Sequence, residues 1–312
     1  MRFLLPQGIG DSVWGMTKVQ SMAKKLGDGH VQIFLNSQFV DGRESRAVPF
    51  ISGFKFVSEV GQYKTGILKS GSPVDENGYY RYIDSGVSNL SGIDYVLIPN
   101  APLERGIRLE NWFPEFETNW KIMDEFNFNE QDLRIGRVLS AQSGFCVFYL
   151  GSEMSNTTDG HNRGPVWKPE DWALLGRLVQ EHLDLKIVVV GADYDRSYWE
   201  NCVRPLVKAQ SWMDLVGQAK ISETFGLIRS ARFVVSFQSG IGIVAEYMGI
   251  PAALFWRAKG DSISPHFYLS FEEKMNGAWS PPEMLAQGKH LALIYGKHSS
   301  QDVISQILER GW

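Results

Sequence analysis

The chain has 312 residues, of which 44% are hydrophobic and 21% charged, and 31 basic against 35 acidic side chains give a formal charge of −4. This composition excludes disordered, collagen-like and disulfide-stapled chains, and the slight negative charge creates no bulk field that would attract nucleic acid or anionic lipid. Only Cys146 and Cys202 are present, so we expect two free thiols in a reducing cytosol.

Apolar runs alternate with amphipathic stretches along the chain. The runs typical of buried parallel strands are Arg2–Leu5, Val31–Leu35, Tyr95–Ile98, Phe145–Leu150, Lys186–Val190, Phe233–Phe237 and Ala252–Phe255. Helical spacing of apolar residues predicts helices over Val13–Leu26, Glu170–His182, Ser222–Ser230, Ile241–Met248 and Asp302–Arg310. This alternation predicts an α/β fold. No apolar run approaches the ~20 residues that span a bilayer, so we expect a soluble, cytoplasmic protein without stable membrane insertion.

Two stretches, 61–91 and 99–143, interrupt the alternation with glycine, asparagine, proline and charged residues. We place a domain boundary near Leu139–Gly144, because Phe145 begins a fresh strand, loop and helix series. The prediction is therefore two doubly wound, Rossmann-like domains, 1–140 and 141–312, which face each other across a cleft. The terminal helix is a candidate to pack back on the first domain.

The first candidate site is the turn Gly8-Ile9-Gly10-Asp11-Ser12, between a predicted strand and a predicted helix. Gly8 and Gly10 permit close backbone approach, and the helix amino terminus offers N–H groups to an anion or a hydroxyl-bearing ligand. The third glycine of a dinucleotide site is absent, which disfavours a nicotinamide cofactor. Asp11 fits two roles equally well, a carboxylate that stabilises the first helical turn and a catalytic carboxylate.

The second candidate site lies between the predicted strands Phe233–Phe237 and Ala252–Phe255. Its glycines predict a turn that feeds a helix whose first amides can hold a phosphate, and a glutamate further along can accept hydrogen bonds from ribose hydroxyls. The residues assigned to this nucleotide-diphosphate site are Gln238, Ser239, Gly240, Ile241, Gly242 and Glu246. The alternative is a tight strand-to-helix turn followed by an exposed glutamate.

The long loop Gly151–Lys168 is the third candidate, since loops of this length between a strand and a helix are commonly functional. Arg163 or Lys168 could neutralise a departing diphosphate, or either could be a solvated surface charge. The stretch Asn100–Trp120 could line an acceptor pocket, or its aromatic residues could serve the core. The six histidines never fall at a metal-ligand spacing, so we predict no metal site and no cofactor.

In their order, these motifs resemble the GT-B glycosyltransferases, and among them family 9, the ADP-heptose–lipopolysaccharide heptosyltransferases. The segments that carry the resemblance are Gly8–Asp11 with its helix, Trp167–Trp172 before Lys186–Gly191, Asp214–Gly217 followed by Ile221–Ala231, and Val234–Pro251. The resemblance implies two Rossmann-like domains facing a cleft, the first binding the acceptor and the second the nucleotide sugar. It also implies metal-independent transfer with inversion, with Asp11 as general base.

The chain departs from the family pattern at two places. The family has Asp-Thr-Gly followed, after two residues, by histidine, whereas this chain has Gln238-Ser239-Gly240 with Ile243 in the histidine position. The basic residue before the loop tryptophan is absent, which leaves Arg163 or Lys168 as substitutes. Glu246 is more similar to the ribose-binding glutamate of other GT-B enzymes.

The resulting hypothesis is a glycosyltransferase that uses a nucleotide-diphosphate sugar as co-substrate. Its acceptor is a surface glycan, lipopolysaccharide-like, or alternatively a hydroxymethylated base of phage DNA, and the negative net charge favours the glycan. A sugar-nucleotide epimerase of the same fold and a non-catalytic nucleotide-sugar-binding protein stay open, because a fold does not determine function.

Overall fold

The chain folds around two separate β-sheets. The computed structural model describes residues 1–6, 8–36, 47–63, 79–81, 92–97, 99, 107–150, 167–237, 239–256, 277, 279–294 and 297–312. The first sheet has the order β3-β2-β1-β5-β4, in which β4 is antiparallel to β5 and the other neighbours are parallel. Its strands are β1 (Arg2–Leu5), β2 (Val31–Asn36), β3 (Val57–Tyr63), β4 (Tyr79–Arg81) and β5 (Tyr95–Leu97).

The second sheet is parallel throughout, in the order β11-β10-β9-β6-β7-β8. Its strands are β6 (Phe145–Tyr149), β7 (Lys186–Gly191), β8 (Met213–Val216), β9 (Val234–Phe237), β10 (Ala252–Trp256) and β11 (His290–Ile294). Helices cover both faces of a parallel sheet, which explains why β6 and β10 consist entirely of buried residues.

The α-helices between the strands follow the doubly wound pattern. They are α1 (Ile9–Lys25), α2 (Ala47–Ile51), α3 (Glu130–Gln142), α4 (Pro169–Leu183), α5 (Arg196–Tyr198), α6 (Arg204–Val207), α7 (Ile221–Ser230), α8 (Gly240–Tyr247), α9 (Pro282–Ala286) and α10 (Ser300–Glu309). A π-helix, Trp199–Val203, joins α5 to α6. Short 3-10 turns lie at Leu109–Asn111, Ile122–Glu125, Asp193–Asp195 and Lys208–Gln210. None of the described helices is long and apolar enough to cross a membrane.

The predicted α/β class with two Rossmann-like units is confirmed, and each predicted strand and helix has a counterpart. The sequence analysis missed β3, β4, β8 and β11. β4 and β8 are short, β11 alternates between buried and half-buried residues, and β3 has no fully buried residue over 57–62. Both cysteines are free thiols, as predicted, with Cys146 buried and Cys202 exposed.

Helix α3 corrects the predicted interruption over 99–143. A capping box starts it, in which Asp132 N–H donates to Asn129 Oδ1 (2.9 Å) and Asn129 N–H donates to Asp132 Oδ2 (3.0 Å). The helix packs on α7 so closely that a Cβ at Gly226 would lie 2.0 Å from the carbonyl oxygen of Asp132. Residues 130–140 therefore pack against a helix of the second sheet, although the predicted boundary assigned them to the first domain.

Helix α10 packs within the second unit. It packs on α4, where Ser300 Oγ donates to the carbonyl of Asp171 (2.7 Å), and the terminal Trp312 packs near Phe233. The apolar stripe of α10 thus belongs to the core of the second unit.

Candidate functional site

Helices α1 and α8 begin beside each other, although they belong to different units. A Cβ at Gly10 would lie 2.5 Å from Ile243 Cδ1 and 3.5 Å from Gly240 Cα, and a Cβ at Gly240 would lie 2.7 Å from Ile9 Cβ. Only glycine leaves room for this approach. Because each helix follows the carboxyl end of a parallel strand, the ligand-binding edges of the two sheets meet at this contact.

Asp11 lies in the first turn of α1, at this contact. Gly8 is the N-cap residue in extended backbone geometry, and a Cβ there would lie 3.0 Å from Asp11 Oδ2. The half-buried carboxylate therefore folds over the helix start, where the helix dipole favours negative charge. Ser12 is buried and donates its hydroxyl to the carbonyl of Pro6 (3.2 Å), which fixes the turn rather than presenting Ser12 to a ligand.

The first turn of α8 has no side-chain cap. Ser239 is the N-cap residue, but its hydroxyl lies 3.0 Å from Ser236 Oγ and makes no bond to the helix amides. The first intrahelical bond runs from Ile243 N–H to Ser239 O (3.1 Å), so the preceding amides lack intrahelical acceptors and can bind an anion. Gln238 lies outside the described residues.

Two other residues assigned to the donor site have packing roles. Ile241 is buried, and a Cβ at Gly242 would lie 2.3 Å from Leu254 Cδ2. Glycine at position 242 therefore lets α8 lie close against β10. A ligand can reach Ile241 and Gly242 through their backbone amides only.

Glu246 lies near the opposite end of α8, about 9 Å along the helix axis from Gly240. Its carboxylate is buried, accepts a hydrogen bond from Ser280 Oγ (2.9 Å), and pairs with His290 Nδ1 at the amino end of β11. The structure thus separates Glu246 from the turn at Gly240. Glu246 is also not the exposed glutamate of the alternative interpretation, because it is buried and bound by two protein groups.

Lys168 is exposed at the start of α4, and its backbone N–H donates to Asp171 Oδ2 (3.0 Å). It follows the carboxyl end of β6, on the same edge of the sheet as Gly240. Buried Trp167 anchors this position, because its indole N–H donates to the carbonyl of His298 (3.0 Å). Arg163 and the loop over 151–166 lie outside the described residues.

Lys18 escaped sequence reasoning. It lies in the middle of α1 with no exposed surface, and its ammonium donates to the carbonyl of Phe116 (2.9 Å). Burial lowers the pKa of Lys18 to about 8, against the opposing effect of Glu110 and Glu115. A lysine among apolar helix positions was the available signal. Trp112, which lies in the same stretch 100–120 as Phe116, is buried. Its burial favours a role in the core over an acceptor pocket for the aromatic residues of that stretch.

Trp279 joins the two units and was also missed. Its ring lies 5.1 Å from that of Trp14 and 5.7 Å from that of Trp112, and its indole N–H donates to the carbonyl of Ile107 (2.7 Å). From the second unit, Tyr247 OH donates to the carbonyl of Trp279 (2.8 Å). Buried Trp279 therefore links the two helices, because its indole packs on Trp14 of α1 and its backbone carbonyl accepts from Tyr247 of α8.

No protein-family model and no curated protein matches the chain. Solved structures do match it, over nearly the whole of both chains. Escherichia coli ADP-heptose lipopolysaccharide heptosyltransferase II aligns with a TM-score of 0.59 and 12% identity, covering 99% of this chain and 97% of that one.

The chain has the GT-B fold. A glycosyltransferase family 9 structure from Veillonella parvula DSM 2008 aligns with a TM-score of 0.54 and 12% identity over 99% of this chain and 96% of that one. Escherichia coli heptosyltransferase WaaC with ADP aligns with a TM-score of 0.53 and 13% identity, covering 100% of this chain and 98% of that one. The predicted resemblance to family 9 is confirmed as a likeness of fold, and the Gly10–Gly240 contact lies where the two GT-B units meet.

Proposed function

We propose that this chain is an inverting, metal-independent glycosyltransferase that moves a sugar from a nucleotide-diphosphate sugar to a hydroxyl acceptor. One observation carries the proposal: a carboxylate on the first turn of α1 and the uncapped amides of α8 come from different units and meet at Gly10 and Gly240. The GT-B fold, shared with structures of nucleotide-sugar transferases, supports it.

The donor diphosphate binds at the amino terminus of α8. Amides of Gly240, Ile241 and Gly242 point along the helix dipole toward the ligand edge, and Ser239 and Gln238 precede them. As the bond between the anomeric carbon and the diphosphate oxygen breaks, negative charge grows on the departing nucleoside diphosphate. The helix amides, with Lys168 or Arg163, stabilise that charge.

Asp11 is the general base. The acceptor hydroxyl attacks the anomeric carbon from the side opposite the diphosphate and passes its proton to the Asp11 carboxylate, so the anomeric configuration inverts. The turn of Gly8, Gly10 and Ser12 places this carboxylate beside the acceptor. The acceptor is a hydroxyl of a surface glycan, since a chain of formal charge −4 attracts DNA poorly.

The test is a thermal-shift screen against ADP, UDP, GDP, dTDP and CMP and their common sugar conjugates. ADP comes first, because WaaC of similar fold was solved with ADP. Selective stabilisation by one nucleotide family, which mass action requires of a specific ligand, is the expected result. No shift with any of them would overturn the assignment of α8 as the donor site.

A further inference from the structure

A cavity of about 440 Å³ lies on the seam between the two units, away from the Gly10–Gly240 contact. It is open to solvent, and its volume lies within the range of about 300–1,000 Å³ that small-molecule sites occupy. The turn before β3 and the segment 124–128 form one wall, and α3 and α7 form the other. None of its lining residues belongs to the turns that start α1 and α8.

Backbone bonds fix the first wall. Lys55 N–H donates to the carbonyl of Glu125 (3.1 Å), Asn127 N–H donates to the carbonyl of Gly53 (2.8 Å), and Phe54 and Phe126 form an isolated β-bridge between these bonds. Phe126 is buried in the core below. The lining is therefore an ordered surface rather than a loose loop.

The cavity concentrates positive charge on a chain whose formal charge is negative. Lys55, Arg137 and Arg229 line it against one carboxylate, that of Asp124. The charge of Arg137 is balanced by an ion pair with Glu130 (2.5 Å), a residue that does not line the cavity. Lys55 and Arg229 make no ion pair with any described residue. Both side chains are exposed, and an anion that binds between them would gain attraction from both cations.

The remaining groups indicate which anion fits. The Arg229 guanidinium lies 5.2 Å from the centre of the Phe128 ring, and this contact holds it over the cavity wall. Asp124 and Asn127 supply a carboxylate and an amide, the groups that hydrogen-bond to sugar hydroxyls. A dianionic phosphate pairs best with Lys55 and Arg229. Sugar hydroxyls pair best with the hydrogen-bonding groups of Asp124 and Asn127.

We propose that this cavity binds the phosphate monoester of a small sugar, with the phosphate on Lys55 and Arg229 and the hydroxyls on Asp124 and Asn127. The ligand contacts both units, since Lys55 lies in the first and Arg229 in the second. The site is separate from the donor site and does not depend on the proposed transfer reaction.

The experiment is isothermal titration calorimetry of the full chain with glucose 6-phosphate, inorganic phosphate and glucose at constant ionic strength. Glucose 6-phosphate should bind most tightly, inorganic phosphate more weakly and glucose not measurably. Lys55→Gln and Arg229→Gln should each weaken glucose 6-phosphate binding about tenfold or more, the loss expected for one charge-assisted contact.

Lys121→Gln and Arg232→Gln are matched controls, because both side chains are exposed and neither lines the cavity. They should keep the wild-type affinity within about twofold. Equal affinity of the wild type and all four variants for glucose 6-phosphate, or no binding of glucose 6-phosphate to the wild type, would overturn the proposal. Equal affinity for inorganic phosphate and glucose 6-phosphate would overturn the sugar part. Failure of ADP to bind the wild type would count against the proposed function alone.

Discussion

The indole N–H of Trp279 donates to the carbonyl of Ile107 at 2.7 Å, and this bond ties a segment of the second unit to a segment of the first. Trp279→Ala should lower the free energy of unfolding by about 3–5 kcal/mol, because it removes a buried ring from contact with Trp14 and Trp112. Urea denaturation followed by circular dichroism measures the loss.

Trp279→Phe separates the ring from its hydrogen bond. It should cost less than the alanine variant, about 1–3 kcal/mol, since the ring contacts persist while the Ile107 carbonyl loses its donor. Trp212→Phe is the matched control within the second unit, where the indole donates to Gln210 Oε1 (3.0 Å). A loss below about 1 kcal/mol for Trp279→Ala would contradict the linking role.

The contact between the two glycines predicts intolerance of a single methyl group. In Gly240→Ala the new Cβ would lie 2.7 Å from Ile9 Cβ and 3.1 Å from the backbone nitrogen of Gly10. Because backbone cannot yield cheaply, we expect a loss of about 1–3 kcal/mol in thermal or urea unfolding. Gly29→Ala, where no atom lies within 4 Å of the new Cβ, should leave stability unchanged.

Asp11→Asn tests the general base. The amide keeps the size of the side chain but cannot take the acceptor proton, so turnover should fall about 10²- to 10⁴-fold once the screen has identified a donor. Nucleotide affinity should stay within about twofold, since the variant leaves α8 intact. Unchanged turnover in a glycosyl-transfer assay would refute the role of Asp11 as base.

Lys18 predicts a pH dependence of stability. Its pKa in the folded chain is lowered to about 8, below the ~10.4 of an exposed lysine, so between these pH values the unfolded chain binds more protons than the folded one. The contribution of Lys18 to stability therefore rises as pH increases through this window.

Lys18→Met removes that titration. The difference in unfolding free energy, wild type minus variant, should grow between about pH 7 and pH 9.5 in parallel urea titrations. Lys24→Met, on the exposed part of the same helix, should give a difference that stays flat. A flat difference for Lys18→Met as well would show that the Lys18 amine is not desolvated in the folded chain.

Glu246→Gln distinguishes a ligand from a buried partner. The substitution replaces the carboxylate that pairs with buried His290 by a neutral amide, and the weakened hydrogen bonding should cost about 1–3 kcal/mol. Ser280→Ala, which removes only the neighbouring hydroxyl, should cost less. If Glu246→Gln keeps its stability and loses its response to nucleotides, the ribose-binding prediction would gain support instead.

Local patterns predicted the strands whose side chains are buried on both faces, such as Ile187–Val190 within β7. They also identified the turns that start α1 and α8, because glycine before a helix is a local signal. The meeting of Gly10 with Gly240 depends on how two sheets pack, which no local pattern encodes. For the same reason Lys18 and Trp279 escaped, since their partners lie far away in sequence.

The sequence pattern failed to predict helix α3 for a different reason. Its capping box, Asn129 and Asp132, stood in the sequence, but the stretch carries many charged residues and too few apolar ones for its periodicity to stand out. The glycines that let it approach α7, Gly136 and Gly226, read as helix-weakening residues in isolation. Only the partner helix explains them.

Cys146 and Cys202 differ in exposure, so a spectroscopic label can be attached to one of them selectively. Burial within β6 raises the pKa of the Cys146 thiol and keeps it from reagents, while Cys202 lies exposed in the π-helix of the second unit. A maleimide dye should therefore label the unaltered protein at one position. Energy transfer from that dye to a second label, placed in the first unit, would report any change in the distance between the units when a nucleotide is added.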